Sequence, residues 1–170
     1  MAPQKEVVLK LSSMRYKKSE VSEAQFHDHG SKFHAPKAAI VQARHGALRV
    51  AQYYTPKALR GLVEEKLPWA VRPGWKIDEH DAVIQVYVRT PEQMMAIVTD
   101  PDFQSLIADD DDIVDPSKAT VTAGWEEVYV EDGKIVNIEN GKSIYPSFAE
   151  CEKLGAVGRA TSISADMQRF

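Results

Sequence analysis

The chain has 170 residues, 44% hydrophobic and 27% charged, with a formal net charge of −4. That is enough for one domain with a proper core, and the acidic balance disfavours a nucleic-acid partner. No apolar run approaches the ~20 residues of a membrane helix, no secretory leader is recognisable, and one cysteine forms no internal disulfide, so no membrane partner and a cytoplasmic setting are expected.

Residues 6–14 alternate Val7, Leu9 and Leu11 with Val8, Lys10 and Ser12, which predicts a strand. Residues 22–36, SEAQFHDHGSKFHAP, predict a helix. Ser22 is a good N-cap with Gln25 three residues on, Glu23 suits the first turn, and Pro36 is expected to end it. This segment carries three of the five histidines. On a regular helix His27 and His34 share one face, about 10 Å apart in rise, with Gly30 as a gap between them and His29 pointing away. Two imidazoles beside a gap suit one half of a small-molecule site. The plainer alternative is a histidine placed against the helix dipole or simply at the surface.

A weak helical pattern covers 37–44, His45-Gly46 signals a turn, and 47–55 predict a second strand stopped by Pro56. A short helix is expected over Lys57–Lys66, followed by a long connection to His80 that holds Trp69 and Trp75. These two rings either stack on an aromatic ligand or plug the end of the core. Residues 82–90 are β-branched and apolar on both faces, as in a central strand. Thr90-Pro91-Glu92 starts a helix, Asp100-Pro101 interrupts it, and 102–108 continue it. The four aspartates at 109–112 read as a solvated helix end, because a calcium loop spaces its ligands and includes a glycine. Residues 119–131 predict the last strand, closed by Asp132-Gly133. A short helix lies within 146–155 and bears Cys151, a poor nucleophile there. The remaining tail is small and polar, mobile or wrapped on a partner.

The order β, α, β, β, α, β predicts an α+β, ferredoxin-like βαββαβ fold, a four-stranded antiparallel sheet with both helices on one face. Apolar character on the other face predicts a second copy packed there, a homodimer forming a dimeric α+β barrel. The domain is expected over 1–138, with a C-terminal extension bearing a short helix over 139–170.

Several groups of residues carry a resemblance. Phe26-His27 and His34-Ala35-Pro36 match a pattern F-H-x-x-W-x-x-x-H-A-P, with Gly30 where the Trp stands. Gln52-Tyr53-Tyr54, Asp81, Asp100-Pro101-Asp102-Phe103 and Gly124-Trp125-Glu126-Glu127 extend the match over residues 10–138. On these, the chain resembles the EthD-domain family of dimeric α+β barrel proteins, in its fungal secondary-metabolism branch. Glycine in place of Trp would enlarge the site.

The resemblance implies a cofactor-independent tailoring enzyme acting on an aromatic polyketide. Decarboxylation of an atrochrysone-type carboxylic acid is the first reading. The alternatives are a dehydratase or cyclase, a cofactor-free monooxygenase, and a non-catalytic protein that binds such an intermediate. Histidine acid/base chemistry fits, since imidazole titrates near working pH. His27, His34 and His80 are the catalytic candidates, with Asp81 placed to orient His80. Tyr16, Gly30, Tyr53, Trp69, Trp75 and Asp81 are expected to line the substrate. No cofactor is expected: there is no Gly-rich phosphate loop, HExxH or CxxC. No metal is expected either, because two ligands about 10 Å apart along one helix cannot share an ion without other segments.

Overall fold

The computed structural model describes residues 6–156. Strand β1 (Leu9–Arg15) lies between β3 (Ala82–Val88) and β4 (Thr120–Gly124), and β2 (Arg49–Tyr54) pairs with the outer side of β3. The sheet is fully antiparallel in the order β2-β3-β1-β4, the ferredoxin-like arrangement. β3 is the inner strand buried on both faces: Ala82, Val86 and Val88 meet helices, while Val83 and Tyr87 are covered on the other side.

Helices pack on the face that carries Ala82, Val86 and Val88. Val86 and Val88 form a core with Ile97 and Phe103, which come from α4 (Pro91–Thr99) and α5 (Pro101–Asp109). Ile97 is 1% exposed, a burial that contributes roughly 1.5–3 kcal/mol. Thr90 and Asp100 cap these helices, and each has its proline at N1 as the sequence suggests. A second core joins Val21, Phe26 and Ala82. Register sets what surrounds it. Arg15 pairs with Ala82, and Ala82 pairs with Tyr54, so the three form a row across the helix-covered face.

The histidine-bearing helix departs from expectation. It starts at Ser22 with the capping box in place and runs as α1 (Glu23–Asp28). It then widens into a π turn over His29–His34 and continues as α2 (Ala35–Arg44). Pro36 does not end it. The Ala35 N–H reaches the Gly30 carbonyl, five residues back. A proline lacks a donor and crowds the carbonyl four residues back, and widening the turn ahead of Pro36 removes that conflict.

The last strand is shorter than the alternation suggests. Pairing stops at Gly124, and Trp125 turns out to stack edge-on against Phe148 of α6 (Phe148–Cys151), centroids 5.5 Å apart. Two small hairpins follow, β5–β6 (Val130–Glu131, Lys134–Ile135) and β7–β8 (Ile138–Glu139, Lys142–Ser143). Their turns place Asp132-Gly133 and Asn140-Gly141 at positive φ, as two-residue hairpin turns require. Cys151 is buried, and burial first, then Glu127 and Glu150, pushes its thiol up, away from nucleophilic use. The expectation for the polar tail falls on residues from 157 onward, outside those described.

Candidate active site

The π turn decides the site. In a turn closed by bonds from residue i to i+5, residues five apart become neighbours. His29 and His34 are five apart, and their ring centroids lie 6.4 Å from each other. Both rings address one carboxylate oxygen. His29 Nε2 stands 2.8 Å and His34 Nδ1 3.0 Å from Oδ1 of Asp110, which sits in the 3-10 turn Asp110–Asp112 after α5. His34 and Asp110 are buried, at 9% and 8% exposed.

The aspartate run therefore is not uniformly solvated. Asp109, Asp111 and Asp112 face water, while Asp110 turns inward. A buried carboxylate is tolerated only when its charge is met. Burial alone would push the Asp110 carboxyl up. Hydrogen bonds from His34 and His29, and then their charges, outweigh that and hold it below the usual carboxylate value.

Beside this cluster lies a cavity of about 30 Å³, lined among others by Arg15, Phe26, Gly30, Gln52 and Tyr54. That volume exceeds the ~10–15 Å³ one water needs, yet admits only a small group. A second cavity of about 300 Å³ lies next to it and is lined by His27, Ala24, Pro56 and Asp81. Phe26 and Tyr54 line both, so the two cavities meet at these side chains.

The expected site residues divide accordingly. His34 and Gly30 line the small cavity, and His27 and Asp81 line the larger one. The shared face expected for His27 and His34 is lost to the π turn. His27 is exposed and packs on the Tyr54 ring at 4.6 Å. The gap at Gly30 is already filled: a Cβ there would stand 2.5 Å from the Tyr54 hydroxyl, which donates to Gln52 Oε1.

Tyr16, His80 and Asp81 gather apart from the histidine pair. The Tyr16 hydroxyl donates to Asp78 Oδ1, and its ring meets His80 edge-on at 6.5 Å. His80 is paired with Asp78 rather than Asp81. Its Nδ1 is 3.0 Å from Asp78 Oδ1, but at an angle that makes no hydrogen bond, and its backbone N–H takes the same oxygen. That backbone bond, ahead of the other contacts, holds the Asp78 carboxyl below its ordinary value. Asp81 Oδ2 accepts the Lys17 backbone N–H, and Arg60 lies 3.8 Å from Oδ1. Tyr53, Trp69 and Trp75 are exposed, at 60%, 78% and 61%, and line neither cavity.

His29, Asp110, Arg15 and Gln52 were not singled out from the sequence. His29 had a signal: a histidine pair at i, i+5 just ahead of a proline in an otherwise helical stretch. Arg15 had one as well, since it continues the parity of Leu9, Leu11 and Ser13 onto the covered face. Asp110 had none that separates it from its acidic neighbours.

His29 Nε2, His34 Nδ1 and an Asp110 oxygen lie within 4.8 Å of one another, the one such trio among the described residues close enough to hold a metal ion. Imidazole and carboxylate suit zinc, iron or manganese. The trio is also complete without an ion, as two N–H groups shared by one oxygen, and Arg15 on the same cavity opposes a cation.

The family model described as "EthD domain" matches residues 18–117. A protein of Aspergillus terreus, provisionally named an oxygenase, is 32% identical over 84% of this chain and 89% of its own. "Dehydratase iacD" of Pestalotiopsis fici is 28% identical over 81% and 98%, and "Decarboxylase nsrE" of Aspergillus novofumigatus is 27% identical over 72% and 80%. A crystal structure of an EthD family protein from Bacillus halodurans covers 71% of this chain and 99% of its own, at 15% identity and a TM-score of 0.48. No helix among the described residues is long and apolar enough to cross a membrane.

Proposed function

Because the chain belongs to the EthD domain family, whose relatives here include fungal dehydratases and decarboxylases, we propose that it is a cofactor-independent lyase acting on an aromatic polyketide acid. The observation that carries this reading is the buried Asp110 oxygen shared by His29 and His34 at the edge of a cavity. Two imidazoles on one carboxylate form a proton-transfer device: the carboxylate orients the rings and stabilises an imidazolium.

For an atrochrysone-type acid the first reaction is decarboxylation. The bond between the carboxylate carbon and the ring carbon breaks, its electron pair moves into the adjacent carbonyl as an enolate, and carbon dioxide leaves. His34 then delivers a proton to that carbon and takes its replacement through the hydrogen-bonded cluster. The polycyclic part rests against His27, Phe26 and Tyr54 in the larger cavity, whose ~300 Å³ is at the lower end of small-molecule sites.

Dehydration is the second reading, and Arg15 favours it. A guanidinium holds carboxylate charge where it starts, which stabilises the acid more than the transition state for losing carbon dioxide. In that reaction one imidazole removes the proton beside a carbonyl. The resulting enolate expels the β-hydroxide, which leaves as water with a proton from the other imidazole.

The test is to incubate the purified protein with such an acid and follow product mass for loss of carbon dioxide or of water. His34→Ala and Asp110→Asn are expected to abolish that change. Undiminished turnover by both variants would remove the cluster from the chemistry.

A further inference from the structure

The helix-covered face of the sheet carries a cation with no counter-charge among the described residues. Arg15 lies at the end of β1, in the row with Ala82 and Tyr54, so its stem stands among core residues. Its Nε is buried and has no hydrogen-bond partner. Its side chain makes no ion pair among the described residues. The acid in the lining of the same cavity, Asp110, spends Oδ1 on two imidazoles. Arg60, by contrast, has Asp81 and three backbone carbonyls. Arg15 as a whole is half-buried, so it is the Nε edge of the guanidinium that is withdrawn from water without an acceptor, and that cost is recovered when an anion arrives.

The space fixes the shape of that anion. The cavity that Arg15 lines is about 30 Å³, room for a carboxylate but not for a ring. A guanidinium presents a flat fork that matches the two oxygens of a carboxylate. The larger cavity adjoins the small one at Phe26 and Tyr54, and a planar ring system fits there. We propose that Arg15 is a carboxylate-binding residue, and that the ligand is an aromatic acid whose carboxylate enters the small cavity while its rings occupy the larger one. The choice of acid rests on the lyase reading above; the anion subsite itself rests on Arg15.

The experiment is calorimetric titration of the full chain with 2-naphthoate, 2-naphthamide and inorganic phosphate. Saturable naphthoate binding is expected, with naphthamide at least about tenfold weaker and phosphate unable to compete. Arg15→Met is expected to erase the preference for acid over amide, and Arg15→Lys to keep part of it. Equal binding of acid and amide by the wild type overturns the proposal, as does an intact acid preference in Arg15→Met. Displacement of naphthoate by phosphate also overturns it, by assigning a general anion site. If Arg15→Met does not fold, the wild-type ratio and Arg15→Lys decide. Arg15-dependent binding without turnover of any acid removes the lyase reading and keeps the subsite. Turnover without acid preference does the reverse.

Discussion

Asp110 Oδ1 accepts from two rings, so its removal is expected to lower stability as well as the proposed activity. Asp110→Asn is expected to lower stability by about 1.5–3 kcal/mol, the range for hydrogen bonds to a charged group, read by denaturant unfolding. The pH dependence has a definite sign. The Asp110 carboxyl is depressed in the folded protein, so its contribution is complete above the ordinary value of 3.8 and fades as pH falls through the lower folded value. The stability gap between wild type and Asp110→Asn should therefore close below about pH 3.8; a gap unchanged there would show that the charge is not what matters. Gly30 makes a second residue-scale test. Gly30→Ala drives a methyl into the Tyr54 hydroxyl and should cost about 1–3 kcal/mol, as overpacking does. Tyr54→Phe in the same chain removes the obstructing oxygen and should recover most of the loss. Simple additivity of the two changes in melting temperature would rule out the contact.

At the scale of elements, the π turn holds His29 and His34 in register. Such a turn is an α-helix with one residue too many. Deleting Lys32, which is exposed and makes only a surface pair with Asp28, should return the helix to regular winding. Helical circular dichroism should persist while turnover of the acid falls about a hundredfold, as misplaced catalytic groups do; unchanged turnover would remove the turn from the mechanism. The same element marks how far the sequence could be read. Hydrophobic alternation and helix caps are local patterns, and from Val83, Val86 and Val88, from Ser22 and from Thr90-Pro91 they led directly to strand, cap and layer order. The site did not follow, because regular geometry turns His29 away and pairs His27 with His34. Asp110 is chosen from four aspartates only by the tertiary position of two imidazoles, which no local pattern records. The final strand was overextended because Trp125, Glu127 and Tyr129 keep their alternation after the chain has left the sheet.

For the whole molecule, the outer face of the sheet remains to be accounted for. Tyr87 lies there between Lys10 and Arg49, each cation about 5.3 Å from its ring, and its hydroxyl donates to Glu126. This charged cluster shares the face with Met14, Val83, Ala51 and Tyr53, so the face is mixed, part apolar as the strand pattern suggests and part charged. We propose that the chain pairs with a second copy through this face, with the charged cluster around Tyr87 as part of the contact. Sedimentation of the full chain should give twice the monomer mass, with dissociation at high salt because exposed charge pairs are screened; a monomer at all salt concentrations would refute this. Cofactor independence is tested on the same preparation. Dialysis against a chelator should leave turnover unchanged, whereas a loss restored by one divalent metal would make His29, His34 and Asp110 its ligands.

The meeting of two cavities at Phe26 and Tyr54 has a consequence for how such a protein can diversify. On the proposed mode of binding, the acidic head and the aromatic body sit in adjoining cavities that share two lining side chains among the described residues. Drift at Ala24, His27 or Pro56 can adapt the roomier compartment to a new scaffold without touching the head-group lock. Descendants that take a new substrate would then be expected to differ first along that outer rim, with Arg15 the slower to change.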